Sequence, residues 1–114
     1  MPWIVLLHGD FDAEAEDFAV EVRRELAAMI VLLQQFGPHL KRPHCDTLKG
    51  SKHANMKELR FEAADGVWRI AFAFDPNRRA VLLVGGDKSG KSEKRFYKTL
   101  IRTADARFDE WLEE

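Results

Sequence analysis

The side chains best suited to chemistry lie between Met56 and Tyr97, in the segments MKELRF, GVWRIAFAF and AVLLVGGDKSGKSEKRFY. Glu58, Arg60 and Arg69 supply a carboxylate and two guanidiniums, and Lys88, Lys91, Arg95 and Tyr97 cluster in and just after a glycine-rich loop. A guanidinium is a planar fork that fits two phosphate oxygens at once, as a lysine cannot. This inventory describes a phosphate site. A second phosphate motif overlaps it, because Gly85, Gly90, Lys91 and Ser92 satisfy G-x-x-x-x-G-K-[ST] between an expected strand and an expected helix. A nucleotide-binding P-loop also needs a parallel sheet, crossover helices and an acidic residue that holds magnesium on another strand. Here the loop follows hairpins, and the chain after Ser92 has room for one helix. The P-loop match is therefore read as accidental, with Gly90 and Lys91 kept as phosphate contacts of another kind.

The elements that must position these groups follow from pattern. Trp3 to His8 is a short apolar run closed by Gly9-Asp10 and reads as a strand. From Asp12 to Phe36, Phe18, Val22, Leu26, Met29, Ile30, Leu33 and Phe36 recur at helical spacing, with Asp10 or Asp12 as N-cap and Gly37-Pro38 as the stop. That length suggests two helices joined near residues 16 to 19. Residues 37 to 55 lack periodicity and read as a basic loop; its His39, His44, Cys45, Asp46 and His53 fall at no standard zinc-ligand spacing, so no metal is expected.

The first hairpin can be registered from its turn. With Ala63 to Gly66 as the turn, and Asp65-Gly66 supplying positive φ, Phe61 faces Trp68 and Leu59 faces Ile70 on an apolar face. On the other face Arg60 meets Arg69, and Glu58 meets Ala71. Like charges directly opposite one another are unfavourable, and such a breach of local rules is expected at a functional site. The structural alternative is that each arginine pairs with a neighbouring carboxylate, Glu58 or Glu62. Asp75-Pro76-Asn77-Arg78 forms the next turn, Ala80 to Val84 a central strand, and Ser92 caps a helix to Trp111 whose stripe is Phe96, Leu100, Ile101, Ala104, Phe108 and Trp111.

Composition bounds the rest. A chain of 114 residues with 46% hydrophobic and 32% charged residues is expected to form one domain, 1–114, of α+β class. The single Cys45 allows no internal disulfide, and Trp3 to Leu7 is too short an apolar run for a signal peptide or membrane span, so a cytoplasmic protein with no membrane association is expected. The net charge of −1 hides segregation. Residues 10 to 25 are acidic, residues 41 to 60 and 87 to 102 are basic, and residues 105 to 114 are acidic again. A basic middle steers a polyanion to one face.

In this order, MKELRF, GVWRIAFAF and GDKSGKSEKRFY resemble the toxins of the RelE/ParE superfamily, most closely the phage-derived HigB-like branch of type II toxin–antitoxin systems. The likeness covers nearly the whole chain and is most specific from Leu48 through Ala104. It implies a RelE-like fold: an N-terminal strand, a helix or helical hairpin, an antiparallel sheet of about four strands and a C-terminal helix. It also implies a ribosome-dependent mRNA interferase that cleaves the message in the ribosomal A site, and a cognate antitoxin with a helix-turn-helix DNA-binding domain. In that reaction the RNA's own 2′-OH attacks the adjacent phosphate, so no cofactor is needed. The resemblance puts Arg69 on the phosphate with Arg60 beside it, Lys88 as the acid for the leaving group supported by Lys91 and Arg95, and Tyr97 where it can stack on or orient a base. Glu58 is either the base for the 2′-OH or a counter-ion to Arg60, and Tyr97 has a rival role in packing the helix edge. Lys49, Lys52, His53 and Lys57 stand where the family often places basic residues for RNA, with surface solubility as their alternative. Two other functions fit the same fold class: a ParE-like, non-catalytic inhibitor of DNA gyrase and a non-catalytic RNA-binding module.

Overall fold

The protein was analysed as a computed structural model that describes residues 2–114. Its elements are β1 (Val5–Leu7), α1 (Gly9–Glu16), α2 (Val20–Phe36), β2 (Cys45–Thr47), β3 (Lys57–Ala63), β4 (Gly66–Phe74), β5 (Ala80–Asp87) and α3 (Glu93–Glu113), with a 3-10 turn at Gly37–His39. The five strands form one sheet in the order β1-β5-β4-β3-β2. The β2 to β5 ladder is antiparallel, and β1 joins β5 in parallel, so the sheet is mixed. This is the expected α+β architecture with one strand added at each edge of the two hairpins.

Alternation along the strands divides the core into two layers. Leu59, Phe61, Ile70, Phe72 and Leu82 pack with Phe11, Val22, Leu26, Met29 and Leu33 of α1 and α2. Ala71, Ala73, Val81 and Leu83 pack under Phe96, Leu100, Ala104 and Phe108 of α3. The small Ala71 and Ala73 let α3 lie close to one end of this second face. At the other end of the same face the strands carry Glu58, Arg60 and Arg69 in place of apolar residues.

The hairpin register is as expected, with Arg60 opposite Arg69 and Glu58 opposite Ala71. The turn differs in detail: positive φ falls on Ala64 and Asp65, a two-residue type I′ geometry, and not on Gly66. Gly66 is needed for a different reason, since a Cβ there would meet Asp87 Oδ2 at 2.7 Å. The split of the long helix near residues 16 to 19 is present, but α1 is capped by His8, whose ring accepts the Asp10 N–H, and α2 starts at Ala19 with no side-chain cap. Phe36 ends α2 exposed and outside the stripe. The segment 37 to 55 is not wholly loop. It contains β2, three residues too short and too polar to announce themselves by periodicity.

Candidate phosphate site

Glu58 sits at the centre of the polar end of the sheet. Its residue surface is only 4% exposed, and both carboxylate oxygens are engaged. Tyr97 Oη donates to Oε1 at 2.8 Å, Arg60 Nη1 donates to Oε2 at 3.2 Å, and Arg69 Nε lies 3.8 Å from Oε1. Arg69 is 6% exposed. Its Nε donates to Tyr97 Oη at 3.2 Å and its Nη1 to the Trp68 carbonyl at 2.9 Å. Among the described residues Arg69 Nη2 has no protein partner, yet no buried side-chain nitrogen is left unbonded, so this nitrogen reaches the surface. A buried guanidinium fixed on two sides, with one free edge directed outward, is a preorganised anion donor.

The like-charge opposition of Arg60 and Arg69 is thus resolved by a chain of alternating charge. Arg42 on the loop before β2 donates through Nε (3.0 Å) and Nη2 (2.7 Å) to Asp46 Oδ2; that oxygen lies 3.8 Å from Arg60 Nη1, and Arg60 leads to Glu58. The short strand β2 makes this possible by pairing Asp46 with Glu58 across the ladder. The Asp46 carboxyl is held below the ordinary range by its hydrogen bond from Arg42 and by the Thr47 N–H. Burial pushes the Tyr97 hydroxyl above its ordinary pKa, and its hydrogen bond to the Glu58 carboxylate adds to the shift. Tyr97 is therefore a proton donor to Glu58 near neutral pH. Its two hydrogen bonds give it a part in the charge network beyond packing the helix edge.

The loop between β5 and α3 is shaped by Asp87, whose Oδ1 accepts from the Val67 N–H, the Ser89 N–H and the Ser89 hydroxyl. The loop delivers Lys88, whose Nζ lies 2.7 Å from Glu93 Oε1. The Glu93 carboxyl is lowered first by Lys88, with smaller contributions from Arg69 and Arg60, so this ion pair stands within the field of the arginines. Lys91 rests 5.9 Å from the Phe96 ring centre, and it lines a cleft of about 560 Å³ with Arg95 on the β5 side of α3. Gly85 of the P-loop-like match is not in the loop at all. It lies inside β5 opposite Ile70, in an antiparallel ladder that a P-loop does not use.

The remaining basic residues go elsewhere. Lys52 pairs with Asp109 of α3 through its ammonium group and bonds Asp105 through its N–H, while His53 Nε2 lies 2.8 Å from Asp109 Oδ1 and its ring packs edge-on against Phe108. Both belong to the α3 docking surface and do not meet Glu58 or Arg69. Lys57 alternates with Glu58 along β3 and so stands on the opposite sheet face. Lys49 does stay with the site, lining a groove of about 510 Å³ together with Arg42, Asp46, Glu58, Glu93, Lys94 and Tyr97. Sequence alone gives Arg42, Asp46, Glu93 and Lys94 no part in the phosphate site. Arg42 and Asp46 are brought in by β2, which left no periodic signal, whereas Glu93 and Lys94 sit in the helix's first turn beside Tyr97 and were findable by helical spacing. Among the described residues one His–carboxylate group, His8, Asp10 and Glu110, gathers at the start of α1. The His8 Nδ1 accepts the Asp10 N–H, so its Nε2 carries the proton and donates toward Glu110 at 3.3 Å, the tautomer that has no lone pair there for a metal.

Comparison with known proteins agrees with this fold. Residues 13–109 match the family described as phage derived protein Gp49-like (DUF891). The chain is 51% identical over 83 residues to a Mycobacterium tuberculosis protein named "Putative toxin HigB3", covering 73% of this chain and 70% of that one. It is 44% identical over 86 residues to a second protein of that organism, "Putative toxin HigB2", covering 75% of this chain but only 42% of the relative's length. Among solved structures, an Escherichia coli toxin RelE mutant in the free state superposes with a TM-score of 0.63 at 13% identity, covering 90% of this chain and 96% of that one, a likeness of fold. On these grounds the chain belongs to the Gp49-like family, together with the HigB-like proteins, and has a fold like that of RelE.

Proposed function

We propose that this chain is the toxin of a type II toxin–antitoxin pair and acts as a metal-independent endoribonuclease on messages held in the ribosomal A site, in the cytoplasm, under the control of a helix-turn-helix antitoxin. The observation that carries the reading is Arg69: buried, clamped by Tyr97 and the Trp68 carbonyl, and open at Nη2 beside Arg60. A phosphate bound there gains charge as the 2′-oxygen adds to phosphorus, and fixed guanidiniums stabilise that developing charge without reorganising.

The buried position of Glu58 favours an indirect part for it. With both oxygens already bonded, it meets a 2′-OH through the Tyr97 hydroxyl and not directly. The 2′-OH proton passes to Tyr97 Oη as the Tyr97 proton passes to Glu58 Oε1, and the freed 2′-oxygen forms its bond to phosphorus. Lys88, released from Glu93 by the incoming phosphate, donates a proton to the departing 5′ oxygen. The P–O5′ bond breaks, leaving a 2′,3′-cyclic phosphate. Glu58 also holds Arg60 and keeps two like charges within reach of one phosphate, so the base and counter-ion roles weighed from sequence belong to one group.

The reading is tested by expressing the wild type and Arg69→Ala in bacteria and mapping message 5′ ends. Breaks within translated frames that vanish in the variant support it. Growth arrest with intact messages and damaged chromosomes would overturn it in favour of gyrase inhibition.

A further inference from the structure

We propose that the groove between β2 and the first turns of α3 is the subsite for the single-stranded RNA flanking the cleaved phosphate, with Arg42, Lys49 and Lys94 as its phosphate contacts. This rests on the ribonuclease reading above and extends it to residues for which that reading has no role. The groove, about 510 Å³, adjoins the site because Glu58 and Tyr97 are among its lining residues. Its volume lies within the range of small-ligand clefts, which is adequate for a nucleotide.

The charge account favours a polyanion. The groove's three carboxylates each already hold a cation: Asp46 holds Arg42, Glu58 holds Arg60, and Glu93 holds Lys88. Lys49 and Lys94 have no carboxylate within 4.0 Å among the described residues, and Arg42 commits only Nε and Nη2 to Asp46, leaving Nη1 for a ligand. The groove therefore carries uncompensated positive charge at two points, Lys49 and Lys94, and a spare donor at Arg42 Nη1, and a phosphodiester chain presents negative charge at regular intervals. The other basic loop residues are excluded from this path, because Lys52 and His53 face Asp109 on α3. On this path the strand leaves the scissile position toward β2.

The Asp46 link also couples the subsite to the site. Arg42 and Arg60 share the Asp46 Oδ2 oxygen, at 2.7 Å and 3.8 Å. An RNA phosphate that draws Arg42 outward changes the partner set of Arg60, which touches Glu58.

The test uses the full chain and a fluorescent single-stranded RNA hexamer with one 2′-deoxy position, followed by anisotropy across a salt series. Arg42→Ala and Lys49→Ala are each expected to raise Kd severalfold and to flatten the slope of log K against log salt by about 0.7, one phosphate contact on a single strand. Lys52→Ala should leave both unchanged. Equal effects of Lys52→Ala and Lys49→Ala, or none from Arg42→Ala and Lys49→Ala, would overturn the groove. If Arg69→Ala still weakens binding in that case, only the subsite falls and the ribonuclease reading stands. If the wild type binds no RNA but holds a glutamate-rich hexapeptide, and Arg42→Ala releases it, the groove belongs to an acidic protein segment and the proposal is wrong.

Discussion

The two ends of α3 carry opposite charge, basic toward Ser92 and acidic toward Glu113, and the cations gathered at each end are used in opposite ways. Toward its C-terminus Asp105 and Asp109 collect Ser51, Lys52 and His53, Arg107 reaches Glu14 at 2.6 Å and the Leu83 carbonyl at 2.9 Å, and Trp111 donates to Asp75 at 2.9 Å. Every one of those groups is spent on holding the helix to loops and sheet. At the N-terminal end, Tyr97 and the arginines beneath it are linked through Glu58, but among the described residues Arg69 and Arg60 keep nitrogens that no protein atom takes up. The difference teaches that a basic residue signals a ligand only after its protein partners are counted. Lys52 and Arg69 look alike in the sequence as cations near the basic middle. One completes a fold contact, and the other leaves a donor over.

Breaking the N-terminal end should cost activity without unfolding the chain. Arg69→Ala is expected to reduce cleavage by about 10²- to 10³-fold, the usual loss for one preorganised oxyanion donor. Arg69→Lys should recover little of it, because a lysine has no fork to bond Tyr97 and phosphate together. Circular dichroism and urea midpoints of the variants check that the chain still folds.

Breaking the other end should cost stability and leave chemistry alone. Asp75 is 6% exposed and accepts from the Asn77 and Arg79 N–H groups, the Arg79 side chain and Trp111 Nε1. Its removal as Asp75→Ala should cost about 2–4 kcal/mol in urea unfolding. The same residue gives a pH signature. Burial pushes its carboxyl up, but the bonds from Trp111 and Arg79 outweigh this and leave it below the ordinary range. Its contribution is therefore complete above the unfolded value of about 4 and is lost as pH falls from there through the native value. An unfolding series from pH 6 to pH 2 should show this acid loss in the wild type and a shallower one in Asp75→Asn.

A smaller effect sharpens the proton path at the N-terminal end. Tyr97→Phe removes the hydroxyl between Arg69 and Glu58 and should lower the cleavage rate by about 10- to 100-fold, with RNA affinity nearly unchanged. Single-turnover rates separate the two quantities. The smallest effect is expected from Lys52→Ala, whose exposed pair with Asp109 is screened by solvent, so that the urea midpoint should barely move and cleavage should not change.

The sequence carried the frame of the site better than its edges. The Arg60–Arg69 register was legible because apolar alternation fixes which face each strand buries, and a slip of one residue would have turned Leu59, Phe61 and Ile70 outward. The Ser92 cap and the α3 stripe were legible for the same kind of reason, a period of 3.6 over a long helix. The roles of Lys52 and His53 were not, since they depend on Asp105 and Asp109 far along the chain, and no local pattern links a loop to a helix face. Strand β2 was hidden because three residues cannot show a period, and Arg42 and Asp46 were missed with it. The His8 cap was passed over because a histidine is an uncommon cap where an aspartate stands two residues on.

The account turns on where the unspent positive charge lies, and the direct measurement is single-turnover cleavage of a message on programmed ribosomes by three proteins: wild type, Arg69→Ala, and the double variant Lys52→Ala with His53→Ala. The account predicts that Arg69→Ala loses at least about 10²-fold in rate while the double variant cleaves at the wild-type rate. Wild-type cleavage by Arg69→Ala, or an equal loss in the double variant, would contradict it.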